Sequence, residues 1–123
     1  MRRTVAIIGA SSNRTKFGNK ALRAFAQQGY DVLAINPNES EVEGYRTYAS
    51  VLDVPRPIDM ATVYVQPEVG VRVMEELARK GVGEVWLNPG ADGDLVVARA
   101  RELGLKTVLA CSILGIGESP ARY

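Results

Sequence analysis

Val5-Ala6-Ile7-Ile8-Gly9-Ala10-Ser11-Ser12-Asn13-Arg14-Thr15-Lys16-Phe17-Gly18, continued by the amphipathic run Asn19 to Phe25, decides the fold. A short apolar run with β-branched members reads as a buried strand. Gly9 permits a tight turn at its end. Small hydroxyl residues follow. A helical pattern then places Phe17, Ala21, Leu22 and Phe25 on one face. A strand entering a helix through such a turn leaves backbone N–H groups pointing out of the helix start, where the dipole is positive. Anions bind there, and a nucleotide phosphate is the usual guest.

The charge distribution agrees. Residues 1–30 hold Arg2, Arg3, Arg14, Lys16, Lys20 and Arg23 and no acid, a balance of +6. The whole chain has 15 basic and 14 acidic residues, which leaves 9 and 14, or −5, for residues 31–123. A net charge of +1 therefore hides a polarised chain. A basic turn without carboxylates of its own favours a small polyanionic ligand. Lys20 and Arg23 read equally well as a solvated helix face, whereas Arg14 and Lys16 sit inside the turn.

The 123 residues suffice for one domain, 1–123, with its own core. No apolar run approaches the roughly 20 residues of a membrane span. The run after Arg2-Arg3 is too short for a secretory signal. A single cysteine, Cys111, fits a reducing compartment, so a cytoplasmic protein is expected. The chain has no histidine, which removes His-based metal sites, Ser-His-Asp and Cys-His nucleophile systems and phosphohistidine chemistry. No carboxylate cluster has metal-site spacing. A non-catalytic protein without a metal is expected, with neither nucleic acid nor membrane as partner.

Glycine punctuates the rest. Gly29 precedes Asp31–Ile35, Gly81 precedes Glu84–Leu87, and Gly104 precedes Lys106–Ala110. Each time a helical pattern ends and a short apolar strand begins. With residues 59–65 as a further central strand, this alternation predicts an α/β fold: a doubly wound parallel sheet flanked by helices. Residues 46–48 read as an edge strand and 49–54 as a brief helix stopped by Pro55. The helix after Pro67 turns Val69, Val73, Leu77 and Ala78 inward. Residues 113–123 read as a loosely ordered tail.

Three strand ends carry an amide followed by proline: Asn36-Pro37, Gln66-Pro67 and Asn88-Pro89-Gly90. In a parallel sheet these ends share one edge, where ligands bind. Asx-Pro turns form without any ligand, but three together favour a lined crevice. The scaffold is Rossmann-like, yet the dinucleotide fingerprint fails, with Ser11 and Arg14 where glycines belong and Asn36 where an acid belongs. The P-loop pattern fails at Arg14 and Thr15. Neutral Asn36 leaves room for a ligand with extra phosphate near its ribose, such as coenzyme A.

Gly9-Ala10-Ser11 with Lys16-Phe17-Gly18, Gly29-Tyr30-Asp31-Val32, Asn36-Pro37, Tyr48-Ala49-Ser50-Val51, Ile58-Asp59, Glu84 to Gly90, Gly104-Leu105 and Cys111 together resemble the small stand-alone CoA-binding domain proteins. These are similar to the N-terminal domain of the succinyl-CoA synthetase α subunit. The resemblance implies strand order 3-2-1-4-5-6, with the 46–48 strand third. It also implies coenzyme A or an acyl-CoA as ligand. The diphosphate would lie on the turn of Gly9, Ala10, Ser11, Ser12, Arg14, Lys16, Phe17 and Gly18. Asn36 and Pro37 would flank the adenosine, and Val65, Gln66, Pro67, Asn88, Pro89 and Gly90 the pantetheine. Asn38 stands where relatives often have a base. Cys111 ends the last strand on the ligand edge, where it reads either as a small buried hydrophobe or as a thiol near that of CoA. An accessory nucleotide-binding subunit of a CoA ligase, or an NAD(P)-binding protein, is the alternative. Both leave room for a protein partner or a second copy of the chain.

Overall fold

The computed structural model describes residues 2–123. Eleven labelled elements follow one another: β1 (Thr4–Ile8), α1 (Phe17–Gln27), β2 (Asp31–Ile35), β3 (Glu41–Val42), β4 (Tyr45–Tyr48), β5 (Met60–Val63), α2 (Pro67–Lys80), β6 (Glu84–Leu87), α3 (Asp94–Glu102), β7 (Thr107–Leu109) and α4 (Ser112–Gly115). The sheet order is β3-β4-β2-β1-β5-β6-β7. This is the expected order with one addition. The two-residue β3 pairs antiparallel with β4 through a Glu43-Gly44 turn; every other pair is parallel.

β1 is buried along its whole length because β2 and β5 flank it and helices cover both faces. One core lies under α2 and α3, around Ile8, Val63, Met74, Leu77 and Val85. The other lies under α1 and α4, around Val5, Ile7, Leu22, Phe25 and Ile113. Gly81 ends α2 in the left-handed conformation at φ 78°, its amide donating to Leu77 O at 3.0 Å. Only glycine takes that angle without strain.

Several expectations differ from the structure. Val69, expected to face inward, is 38% exposed in the first turn of α2. Phe17 is 52% exposed, because the first residue of α1 projects beyond the sheet edge instead of over it. The 113–123 segment is not loose. Ile113 is fully buried, and Gly115 lies so close to Trp86 that a Cβ there would be 2.7 Å from the indole. Beyond α4, Gln28 donates to the Glu118 carboxylate, and Arg23 Nη2 donates to Tyr123 O at 3.0 Å. The segment closes over α1 like a strap because Ile113, Ile116 and Tyr123 pack against the core under α1 and these two hydrogen bonds tie it to α1.

Candidate functional site

The C-terminal edge of the sheet carries three adjoining hollows. An apolar slot of about 450 Å³ lies over β1 and β2, walled by Ile8, Ile35, Val51, Val65, Val69 and Val73. Its rim carries Asn36, Pro37 and Asn38 on one side and Arg72 and Glu76 of α2 on the other. A second hollow of about 550 Å³ shares Gly9, Asn36, Asn38 and Val65 with the slot and extends over Ser11, Lys16, Phe17, Gly18, Glu39, Gln66, Pro89 and Gly90. A third, of about 290 Å³, shares Phe17, Tyr64 and Pro89 with the second and ends at Asn88, Cys111 and Pro120. Slot, turn and end chamber together form a bent trough across five strand ends. The two larger volumes fall in the range of small-molecule sites.

Two glycines make the turn geometrically attainable. Gly9 has φ +88°, and a Cβ on it would stand 2.8 Å from Tyr64 O. A Cβ on Gly18 would stand 2.1 Å from Gly9 O, so α1 starts in backbone contact with the end of β1. The start of α1 is left open. Lys16 is its N-cap, no side chain caps it, and its first turn contains no acid. An uncapped helix start beside a cation is a favourable place for an anion.

The turn itself is internally braced. Asn13 Oδ1 accepts from Thr15 N at 3.0 Å, and Ser11 Oγ accepts from Asn13 N at 3.1 Å. Its freedom from carboxylates, expected from residues 1–30, does not survive folding. Glu39 Oε2 accepts from Ser12 N at 3.1 Å, and Glu43 Oε2 pairs with Arg14 Nε at 3.3 Å. Hydrogen bonds from Ser12, through its side chain and then its amide, hold the Glu39 carboxyl below its ordinary range; Lys16 adds to this and desolvation opposes it. Both carboxylates arrive from the 36–44 connection, which folds back over the turn. Among the described residues Lys16 makes no ion pair.

The strand-end amides do structural work. Asn36 Nδ2 donates to Ala10 O at 2.7 Å while its Oδ1 accepts from Asn38 N at 2.7 Å. Asn88 is 2% exposed. Its Nδ2 donates to Thr62 Oγ1 at 2.6 Å and Val63 O at 3.0 Å, and its Oδ1 accepts from Ser112 N at 2.8 Å. Asn88 therefore ties β5 to the start of α4 and turns only its edge toward the trough. Asn88→Ala would leave the buried Ser112 amide without an acceptor and should cost about 2 kcal/mol. Urea unfolding measures it, and an unchanged midpoint would mean that the amide finds another partner. Tyr64 is partly buried and borders the trough. Its hydroxyl lies 3.0 Å from Ser112 Oγ, and burial pushes its pKa up against the hydrogen bonds of Ser112 and Thr62. It is a neutral phenol.

Gly9, Ser11, Lys16, Phe17, Gly18, Asn36, Pro37, Val65, Gln66, Asn88, Pro89, Gly90 and Cys111 thus converge on one trough. Ala10 is buried behind it, Ser12 reaches it only through its amide, which donates to the wall residue Glu39, Arg14 stands outside it paired with Glu43, and Pro67 opens α2, packing near Gly93. The lining residues that the sequence reading missed include Glu39, Tyr64 and the α2 residues Val69, Arg72, Val73 and Glu76. Val69, Arg72, Val73 and Glu76 share one face of α2, and that spacing was the available signal for all four.

Residues 3–116 match the family model described as the CoA binding domain. The chain is 30% identical to the acetate–CoA ligase (ADP-forming) I subunit alpha of Pyrococcus furiosus, over 98% of this chain and 29% of that protein. It therefore spans less than a third of that relative. Among solved structures it superposes on a conserved hypothetical protein from Pyrococcus furiosus with TM-score 0.82 and 29% identity, covering 94% of this chain and 99% of that one. It also matches the apo acetyl-coenzyme A synthetase 1 of Ca. Korarchaeum cryptofilum with TM-score 0.73 and 28% identity, covering 85% of this chain and 25% of that one.

Proposed function

The chain belongs to the CoA binding domain family, and from that premise we propose that it holds coenzyme A or an acyl-CoA in the trough without catalysing a reaction itself. One observation carries the proposal: an uncapped helix start with a free lysine opens directly beside an apolar slot. Coenzyme A presents that pairing, a diphosphate next to an adenosine. The adenosine occupies the slot between Val51, Val65 and Val69. The diphosphate meets Lys16 and the first amides of α1. The pantetheine crosses Val65-Gln66 and Pro89-Gly90 toward the chamber at Phe17, Tyr64 and Cys111. Neighbouring parallel strands are about 4.8 Å apart, so an arm starting at β1 passes two strands before that chamber. The chain offers no imidazole to act as general base or to carry a phosphoryl group.

Arg72 supplies a cation at the rim of the slot where the neutral Asn38 does not. It is positioned for the 3′-phosphate. Calorimetry with CoA, dephospho-CoA, NAD and ATP tests the whole reading. The expected order places CoA first. Preference for NAD, or no heat with CoA well above micromolar protein, overturns it. Arg72→Ala should erase about tenfold of the preference for CoA over dephospho-CoA, the value of one charge-assisted contact. An intact preference would take Arg72 out of the site.

Similarity to a ligase alpha subunit favours a second reading, in which the chain is the nucleotide-binding component of a larger CoA ligase. A stable complex with a separate chain, together with ligase turnover by that complex alone, would establish it.

A further inference from the structure

The apparent contradiction in the turn, a carboxylate sitting where an anionic ligand is expected, has a specific geometry. Glu39 is four residues past the end of β2. Its two oxygens lie 3.1 and 3.3 Å from Ser12 N, and Asn36 Nδ2 is 3.4 Å from the nearer one. The side chain lines the same hollow as Lys16, Gly9 and Gly18. Glu39 is fixed there by its backbone as well, since its carbonyl accepts from the Thr47 hydroxyl on β4. A carboxylate and a phosphate oxygen make the same demands on an N–H donor. The amide of Ser12 can serve one or the other.

We propose that Glu39 is a built-in competitor for the phosphate position, an affinity-setting residue that an incoming diphosphate must displace from the Ser12 amide. This rests on the CoA reading for the identity of the ligand, but not for the competition itself. The neighbouring charges fit the role. Glu43 pairs with Arg14, and among the described residues Lys16 is the one cation lining the hollow with Glu39. Displacement therefore exchanges one anion for another beside Lys16 and opens no buried charge. The exchange also raises selectivity. A monoanion gains little by replacing a tethered carboxylate, while a diphosphate brings more than one negative oxygen to the Ser12 amide, Lys16 and the start of α1 together.

Glu39→Gln and Glu39→Ala test the inference, each titrated calorimetrically with CoA and, separately, with inorganic pyrophosphate. Thermal unfolding first confirms that both variants are folded. Both should bind CoA about tenfold more tightly than the parent, and pyrophosphate should follow the same order. Unchanged affinity for both probes would reduce Glu39 to a loop brace. Weaker binding in the variants would make it a ligand contact, for instance to a ribose hydroxyl, and would equally overturn the competition. If no form takes CoA, the CoA reading falls. The pyrophosphate titration still decides Glu39: tighter binding in the variants upholds the competition, and equal or absent binding in all forms ends it.

Discussion

Gly18→Ala is expected to destabilise the protein by about 3 kcal/mol, the upper part of the range for overpacking. On helix propensity alone the change should help by about 1 kcal/mol, since alanine is the better helix former. The sign reverses because the new Cβ would stand 2.1 Å from Gly9 O and 3.1 Å from Gly9 C. Both are main-chain atoms, and no rotamer change relieves the clash. The end of β1 cannot retreat, since Gly9 N donates to Ile35 O at 3.0 Å and Tyr64 N donates to Ile8 O at 2.9 Å. Helix α1 must move instead, away from the sheet that Leu22 and Phe25 pack against. For a chain of this size the melting temperature should fall on the order of 10 °C. Urea unfolding gives the free energy directly. A variant as stable as the parent would show that α1 does not approach β1 this closely.

Lys16→Glu should weaken CoA binding about hundredfold while leaving stability unchanged. Lys16 is exposed, belongs to no ion pair among the described residues, and stands at the positive end of α1. Charge-assisted contacts contribute roughly 1.5–3 kcal/mol, or about ten- to hundredfold in affinity. Reversal removes the attraction and adds repulsion, which places the effect at the upper end. A glutamate at a helix start favours the dipole by about 0.5 kcal/mol, which offsets its repulsion from Glu39 in the same hollow, so unfolding should not reveal a damaged fold. A large loss of affinity at parent-like stability is what a ligand contact gives and a structural residue does not. Parent-like affinity in the variant would remove the lysine from the phosphate site.

The fold was largely legible because the chain marks its own boundaries. Gly29, Gly81 and Gly104 all adopt positive φ after a helix, and each is followed by an apolar run too short for another helix. Pro67 opens α2 as its fixed φ suggests. The convergence of Gly9, Asn36, Val65, Pro89 and Cys111 on one edge followed from parallel strands alone. What remained hidden depended on tertiary approach. The charge count of residues 1–30 could not register Glu39 and Glu43, which come from a loop whose path is set by the β3–β4 turn. Hydrogen-bonding capacity is visible in a sequence, but its partners are not. Asn36 and Asn88 look like ligand donors until their bonds to Ala10, Val63 and Ser112 are seen. Phe17 fits the helical period, yet the period says nothing of where the sheet ends. The final segment lacks any periodicity, and its hold on α1 comes from scattered contacts of Ile113, Ile116, Glu118 and Tyr123.

The central place of β1 bears on how the chain emerges during synthesis. Its first neighbour ends at Ile35, but its second, β5, ends only at Val63. At about 5–20 residues per second, the ribosome needs a few seconds to pass from one to the other. Until β5 is made, one flank of Val5 to Ile8 has no strand to pair with, and its amides and carbonyls are bonded only by water. β1 thus waits longer for its second flank than β2, which finds β4 by Tyr48.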